Sequence, residues 1–296
     1  MPHTKLIYSG VNTVLWISSL KEEEIGLSNR ILEDLASLLD ASGVSLKCFE
    51  VNSIQEMKWL TTDLSFRILQ GMRPIIHLDM HGCETGLQIV KSGEIYPWSY
   101  FCNAFSIINR LSKNELMIFS TACFGLKMIE GIDPVARSPF SCLIAPQSEI
   151  KAGYLADNVL SFYKSLFETQ SIDEAFKKTL GQPFKIFSSH DVFLVLMSAY
   201  YEDHCSGMRK ITRREQLLSK VVDAGRARNS QEIKFARSYL KSALQFDEAL
   251  VKKYSNYFLG PEDKFEPSLD LIKQLAQLRR QKKLSAPKKH REKGGL

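Results

Sequence analysis

Apolar runs alternate with amphipathic segments along the first 80 residues, and this order constrains the fold more than any other feature of the chain. Residues 11–20 form an apolar, β-branched run that is typical of a buried strand, and two further strands are predicted at 44–51 and 74–80. Between them, residues 22–42 and 53–71 place apolar side chains at helical spacing. A strand–helix–strand–helix–strand order predicts a parallel sheet with helices on both faces.

Further elements of the same kind follow in the next part of the chain. The sequence predicts a hairpin at 86–98, a helix at 97–111, strands at 116–122 and 140–146, helices at 150–169 and 171–180, and a sixth strand at 192–200. We therefore expect an α/β fold of three layers. About six mostly parallel strands would lie between two layers of helices.

The chain changes character after Asp203, where charged helical segments replace the apolar strands. Helices are expected within 211–259 and over 267–283. We predict one domain at 1–207, a helical extension at 208–283 with a regulatory or docking role, and a basic, disordered tail at 284–296.

The net charge of +6 is concentrated at one end of the chain. Residues 276–296 hold eight Lys or Arg and one Glu, so they carry +7 and leave the remainder near −1. Such a tail could contact phosphates, but it has no interleaved aromatic residues to stack on bases. A solvated tail is the favoured interpretation, and nucleic-acid binding is a weaker hypothesis.

The sequence also predicts where the protein resides. No apolar stretch reaches the roughly 18 residues of a membrane span, and the first ten residues lack the features of a secretory signal. We expect a cytoplasmic protein with reduced thiols. It has six scattered cysteines and no CxxC pair: Cys48, Cys83, Cys102, Cys123, Cys142 and Cys205.

Two predicted strands end in chemically reactive residues. The strand at 74–80 leads into His81, and the strand at 116–122 leads into Cys123. Functional groups gather beyond the carboxyl ends of parallel strands, and neighbouring strand ends lie ~5 Å apart. If these strands are neighbours, the imidazole and the thiol can reach each other or share a substrate. His81 is then the candidate general base for a Cys123 nucleophile.

Gly82, directly after the histidine, removes a side chain from the same place. Backbone N–H groups can then approach a substrate carbonyl. The amides of Gly82 and Cys123 are the candidate oxyanion hole, in which each donor contributes about 2.7–4 kcal/mol in known acyl-transfer enzymes.

These motifs together resemble a known protein family. The segment PIIHLDM runs into His81-Gly82, the hairpin GLQIVKSGEIYPW follows, and LMIFSTAC precedes Phe124-Gly125, with VFLVLMSAY near the end. Over residues 11–202 the chain resembles the caspase-like cysteine peptidases of clan CD, most closely their CHAT branch. The resemblance implies a caspase-like fold and peptide-bond hydrolysis by a Cys–His dyad without a cofactor or metal. It also implies that a partner protein is cut once a trigger arrives, often in bacterial antiviral or cell-death systems.

One position departs from part of that family. Members that cleave after Arg or Lys tend to carry an Asp two residues before the nucleophile, where this chain has Thr121. An Arg pair that would read an Asp is not identified either. A small or apolar residue at the cleaved position is therefore expected, with Thr121 and Glu84 as candidate substrate-cleft residues.

Other titratable residues have simpler interpretations. His77, His81 and Cys83 suggest zinc, but strand residues four apart lie ~13 Å from each other and cannot converge, so no metal is expected. His77 is interpreted as a core residue. Asp79 could orient His81, although a surface or turn carboxylate is favoured. The pairs His190-Asp191 and His204-Cys205 lack partner motifs.

Two hypotheses remain in different functional classes. The first is a cysteine endopeptidase acting on a protein substrate, with an activating partner or ligand. The second is an interaction module that keeps the fold without activity. The intact His81-Gly82 and Ala122-Cys123 pairs favour the enzyme.

Overall fold

A mixed sheet of eight strands organises the structure, a computed structural model that describes residues 10–133 and 136–285. The strands are β1 (Thr13–Ser19), β2 (Ser45–Glu50), β3 (Pro74–Gly82), β4 (Gly86–Ile89), β5 (Glu94–Pro97), β6 (Met117–Ser120), β7 (Cys142–Pro146) and β8 (Phe184–Ser188). Six of them form the main sheet in the order β2-β1-β3-β6-β7-β8. All neighbours in that order are parallel except β7 and β8, which are antiparallel.

The predicted hairpin continues the end of β3. Strand β4 pairs antiparallel with β3, so that His81 lies opposite Gln88 and Gly82 opposite Leu87. Strand β5 then pairs antiparallel with β4. Because this hairpin holds its last residues, β3 extends further than the sequence predicts and includes both His81 and Gly82.

Five helices cover the two faces of the sheet. They are α1 (Glu22–Ala41), α2 (Ile54–Leu69), α3 (Trp98–Leu111), α4 (Ala152–Thr169) and α5 (Ile172–Thr179). Alternate residues of β1 point to opposite faces, so Leu15 packs in the core with α2 and α3. Trp16 packs in a second core with α1, α4 and α5. The predicted three-layer α/β architecture with a mostly parallel six-stranded sheet is confirmed.

The prediction of a sixth strand at 192–200 is wrong. The sixth strand of the main sheet is β8, and the following residues form the helix α6 (Ser189–Tyr200). A continuous apolar run fits a buried strand and a buried helix equally well. The buried positions recur in adjacent pairs one helical turn apart, at Phe193 and Leu194 and then at Met197 and Ser198.

From Gly207 onward, the described residues form four helices. They are α7 (Gly207–Asp223), α8 (Ser230–Ala243), α9 (Glu248–Phe258) and α10 (Leu269–Ser285). The described residues divide into two compact units, 10–192 with 256–264, and 193–255 with 265–285. The first unit contains the whole sheet.

Within the second unit, Lys283 donates to the buried carboxylate of Glu202 at 2.9 Å. From residue 286 onward, the predicted basic tail lies outside the described residues. Among the helices placed between residues 10 and 285, none has the length and apolar character that a bilayer span requires.

Candidate active site

The pairing of two adjacent parallel strands determines the positions of His81 and Cys123. Strand β3 lies beside β6, and Leu78 is opposite Ser120. Thr121 extends this pairing, since its N–H and its hydroxyl both donate to the Leu78 carbonyl at 2.9 Å. The side chains of His81 and Cys123 then line one cavity of about 310 Å³. The predicted base and nucleophile are thus brought to the same cavity.

The cavity has apolar walls and a polar face. Helices α1 and α4 supply the apolar side chains Leu27, Ile31, Leu155 and Val159. The polar side chains that line it are Glu24, Ser28, His77, Asp79, His81, Thr121 and Cys123.

Glu24, in the first turn of α1, holds the ring of His81. Its Oε2 lies 2.8 Å from His81 Nε2 and also accepts the backbone N–H of Lys21 at 3.0 Å. Burial acts to raise the pKa of Glu24, but the hydrogen bonds from Lys21 and His81 hold that pKa below its usual value. An ionised carboxylate only accepts hydrogen bonds, so Nε2 is the donor and Nδ1 is the nitrogen left free. Glu24 was not identified from the sequence.

The sulfur of Cys123 is half-buried and receives a backbone hydrogen bond. The N–H of Ile150 donates to Sγ at 3.4 Å. In the part of the chain that the structure describes, the sulfur and the His81 ring are not hydrogen-bonded to each other. The two groups therefore face a shared space in which a substrate can lie between them.

Gly82 allows the two strand ends to approach closely. A Cβ at this position would overlap the carbonyl oxygen of Cys123 and lie 3.1 Å from the Cβ of Ala122. Phe124, the residue after the cysteine, adopts the left-handed conformation with φ of 57°, which turns the chain into a 3-10 helix at Gly125–Gly131. Across the described residues, the backbone N–H of Cys123 has no hydrogen-bond acceptor. It is the kind of free donor that a substrate carbonyl can use.

Asp79 lies in the cavity wall rather than at the surface or in a turn, which corrects the interpretation favoured above. Ser28 donates to its Oδ2 at 2.6 Å, and Thr121 approaches its Oδ1 at 3.5 Å. Burial raises the pKa of this carboxyl group, while contacts with Ser28, Trp16 and Thr121 oppose the increase. Its carboxylate accepts the Ser28 hydroxyl, lies 3.5 Å from the Thr121 hydroxyl, whose proton is directed to the Leu78 carbonyl, and makes no bond to His81, whose ring is held by Glu24 instead.

His77 is a buried core residue. Its ring stacks on Trp16 with 3.7 Å between centroids, and Nδ1 lies 3.0 Å from the hydroxyl of Tyr163. Burial lowers the pKa of His77 to about 3, so the ring is neutral at physiological pH. Its Nε2 has no hydrogen-bond partner among the described residues, and the side chain lines the cavity.

The remaining candidates lie outside the cavity. Glu84 is exposed in the loop between β3 and β4 and is not a lining residue. Cys83 is also absent from the lining; burial acts to raise its pKa, but hydrogen bonds at Thr85 and Gly86 hold that pKa below its usual value.

Neither of the two weaker histidine pairs joins the cavity. His190 binds Asp263 at 3.0 Å, and His204 packs edge-on against Tyr200. Leaving aside residues 1–9, 134–135 and 286–296, no three His, Cys, Asp or Glu side chains are grouped to hold a metal ion.

Comparisons with known proteins do not identify a family for this chain. No protein-family model matches the chain, and no curated protein matches it. One solved structure that it is similar to is the X-ray structure of a secreted C11 cysteine protease from Bacteroides thetaiotaomicron, "iotapain". The two chains are 10% identical, the match covers 64% of this chain and 70% of that one, and the TM-score is 0.43. A match of this extent assigns neither a family nor an activity, so the function rests on the geometry of the site.

Proposed function

We propose that this chain is a cysteine endopeptidase with Cys123 as nucleophile and His81 as general base. One observation carries the proposal: the two side chains line a single cavity at the carboxyl ends of adjacent parallel strands. A thiol and an imidazole that face the same space are the minimal set for acyl transfer through a covalent intermediate.

In the first half of the reaction, the Cys123 sulfur attacks the substrate carbonyl carbon. The thiol proton passes to His81, whose free nitrogen is Nδ1 because Glu24 accepts the proton on Nε2. Negative charge develops on the carbonyl oxygen, and the N–H of Cys123, which has no acceptor among the described residues, is a donor for it; the Gly82 amide is the second proposed donor. Collapse of this intermediate breaks the C–N bond as His81 protonates the leaving amine.

In the second half, water enters and the acyl group leaves the sulfur. His81 accepts a proton from the water as it attacks the thioester, and the thiol is restored when the proton returns to sulfur. The carboxylate of Glu24 keeps the ring in one tautomer during both halves. The two side chains are 33% and 35% exposed, so orientation rather than a strong ion pair is the main contribution of this contact.

The proposed substrate is a partner protein that is cut at few sites. This part of the proposal, and an antiviral or cell-death setting, rest on the family resemblance of the motifs. An inactive interaction module is the competing function, and the experiment below separates the two.

A cysteine-labelling experiment tests the catalytic pair. We expect a pulse of a peptide chloromethyl ketone to alkylate Cys123 in the wild type and to label it at least about tenfold more slowly in His81→Ala, because the ring no longer accepts the thiol proton. Peptide mapping by mass spectrometry gives the extent at each of the six cysteines.

Cys83 provides the internal control for that experiment. Its thiol pKa is lowered by hydrogen bonds despite the opposing effect of burial, and it lies outside the cavity, so iodoacetamide should label it equally in both proteins. Cys102 and Cys142 are buried and should stay unlabelled in the native state. Equal labelling of Cys123 in the two proteins would favour the inactive module.

Changing Glu24 to glutamine tests the orienting contact. We expect kcat/KM to fall by about tenfold to a hundredfold, mainly through kcat, because an amide can pair with either tautomer of the ring. Glu23→Gln is the matched control, since Glu23 is exposed in the same turn and does not line the cavity. A Glu24→Gln enzyme with wild-type kcat would show that the contact plays no part in catalysis.

A further inference from the structure

The cavity at the candidate dyad has an acidic lining. Among the residues that the structure describes, its lining includes two carboxylates, Glu24 and Asp79, and no Lys or Arg. Glu24 is already engaged by His81. The neighbours of the Asp79 carboxylate are neutral groups, the hydroxyls of Ser28 and Thr121 and the indole of Trp16, and within residues 10–133 and 136–285 it forms no ion pair with a cationic side chain. A carboxylate without a cation in a confined cavity is complementary to a positively charged group of a ligand.

The carboxylate of Asp79 is set back from the nucleophile along the direction of the strands. It lies two residues before His81 on β3, and it contacts Thr121, which lies two residues before Cys123 on the adjacent chain segment. Two residues along a strand correspond to ~7 Å. A side chain that extends from a substrate carbonyl at Cys123 to Asp79 must therefore be long, and short apolar side chains do not reach the carboxylate.

The rest of the cavity suits the stem of such a side chain. Leu27, Ile31, Leu155 and Val159 line the walls, and Lys and Arg pack their methylene groups against apolar surface while the charged end stays polar. At about 310 Å³ the cavity is larger than any single side chain. His77, whose Nε2 has no hydrogen-bond partner among the described residues, lines the cavity too and adds a second polar side chain to it.

From these contacts we infer that the cavity is the pocket for the substrate residue on the amino side of the cleaved bond, and that it selects Arg or Lys through Asp79. The inference rests on the proposed peptidase function. It replaces the sequence expectation of a small or apolar residue, because the carboxylate that is missing at Thr121 is supplied by the neighbouring strand. A bound cation also offsets the cost of burying the Asp79 carboxylate.

Matched peptide chloromethyl ketones test this inference. The peptides differ only in the last residue, which is Arg, Lys, Leu or Ala, and intact-mass spectrometry measures the second-order rate constant for alkylation of Cys123. We expect the Arg or Lys reagent to react at least about a hundredfold faster than the Leu and Ala reagents in the wild type. Faster reaction with Leu or Ala would overturn the inference.

Two variants connect the preference to one carboxylate. Asp79→Asn should lose the preference, with at least about a hundredfold slower reaction of the Arg and Lys reagents and less than about a threefold change for Leu. Glu84→Gln removes a neighbouring carboxylate outside the cavity and should keep the preference. Loss of the preference in Glu84→Gln but not in Asp79→Asn would overturn the role of Asp79.

The failure of the inference and the failure of the proposed function give different results. A wild type that prefers Leu or Ala, with alkylation that still depends on His81, refutes the basic pocket and leaves the peptidase intact. Alkylation of Cys123 that is independent of both His81 and the last residue refutes the peptidase and the pocket together. The wild-type preference decides the inference even where Asp79→Asn does not fold.

Discussion

Replacing Cys123 with alanine is expected to reduce peptide hydrolysis by at least about 10⁴-fold while leaving the fold intact. The loss follows because the sulfur is the only atom in the proposed site that forms a bond with the substrate. The fold should survive because the sulfur makes one long hydrogen bond, from Ile150, and otherwise faces the cavity. We expect the free energy of unfolding to change by less than about 1 kcal/mol.

The measurement is hydrolysis of the preferred peptide amide, with thermal unfolding recorded on the same samples. Cys123→Ser separates the nucleophile from its hydrogen bond, since a hydroxyl can still accept from Ile150 but is a far weaker nucleophile. Cys83→Ala is the matched control, because this nearby cysteine is outside the cavity and its loss should leave kcat/KM unchanged. Hydrolysis that persists in a folded Cys123→Ala protein is incompatible with the mechanism.

Replacing Gly82 with alanine is expected to lower kcat/KM by about 10³-fold in a protein that still folds. The added Cβ would overlap the carbonyl oxygen of Cys123 and approach Ala122. The two strand ends must then separate, which moves the nucleophile relative to His81 and displaces both candidate oxyanion donors. A misplacement of about 1 Å is enough to cost a hundredfold in rate.

Gly26→Ala is the control for this variant. Gly26 lies in α1, and no atom of the described residues is within 4 Å of the position of its missing Cβ, so alanine there should stabilise the helix slightly, by up to about 1 kcal/mol, and leave activity unchanged. Circular dichroism confirms folding, and steady-state kinetics on the same peptide measure the loss. A folded Gly82→Ala protein with activity within threefold of the wild type would show that the close approach of the two strand ends is not required.

The sequence was most informative where local patterns determine structure. The run PIIHLDM is both apolar and β-branched, so its assignment as a core strand and the position of His81 at its end follow from the residues alone. The same holds for the strand before Cys123 and for the hairpin between them. The prediction of a sixth strand at 192–200 is wrong because the run is apolar except for Ser198, and such a run has no clear periodicity that separates a strand from a helix.

Glu24 and Asp79 illustrate what local patterns do not contain. Glu24 is one of three acidic residues at the start of α1, where acidic residues are common because they favour the helix dipole. Nothing in that cluster marks the one that reaches His81, 57 positions further along the chain. Asp79 lies two residues before His81 on β3, which predicts that their side chains share a face of the sheet. The burial of Asp79 depends on Ser28 and on the helices above the sheet.

The sequence by itself determined the order of strands and helices and the residues that follow the two central strands, because apolar periodicity and β-branched composition act over a few neighbouring positions. Only the tertiary structure decided which side chains enclose the cavity, which carboxylate holds the histidine and which carboxylate has no cationic partner among the described residues. Those partners lie on different elements, and the packing of α1 and α4 over the sheet brings them together.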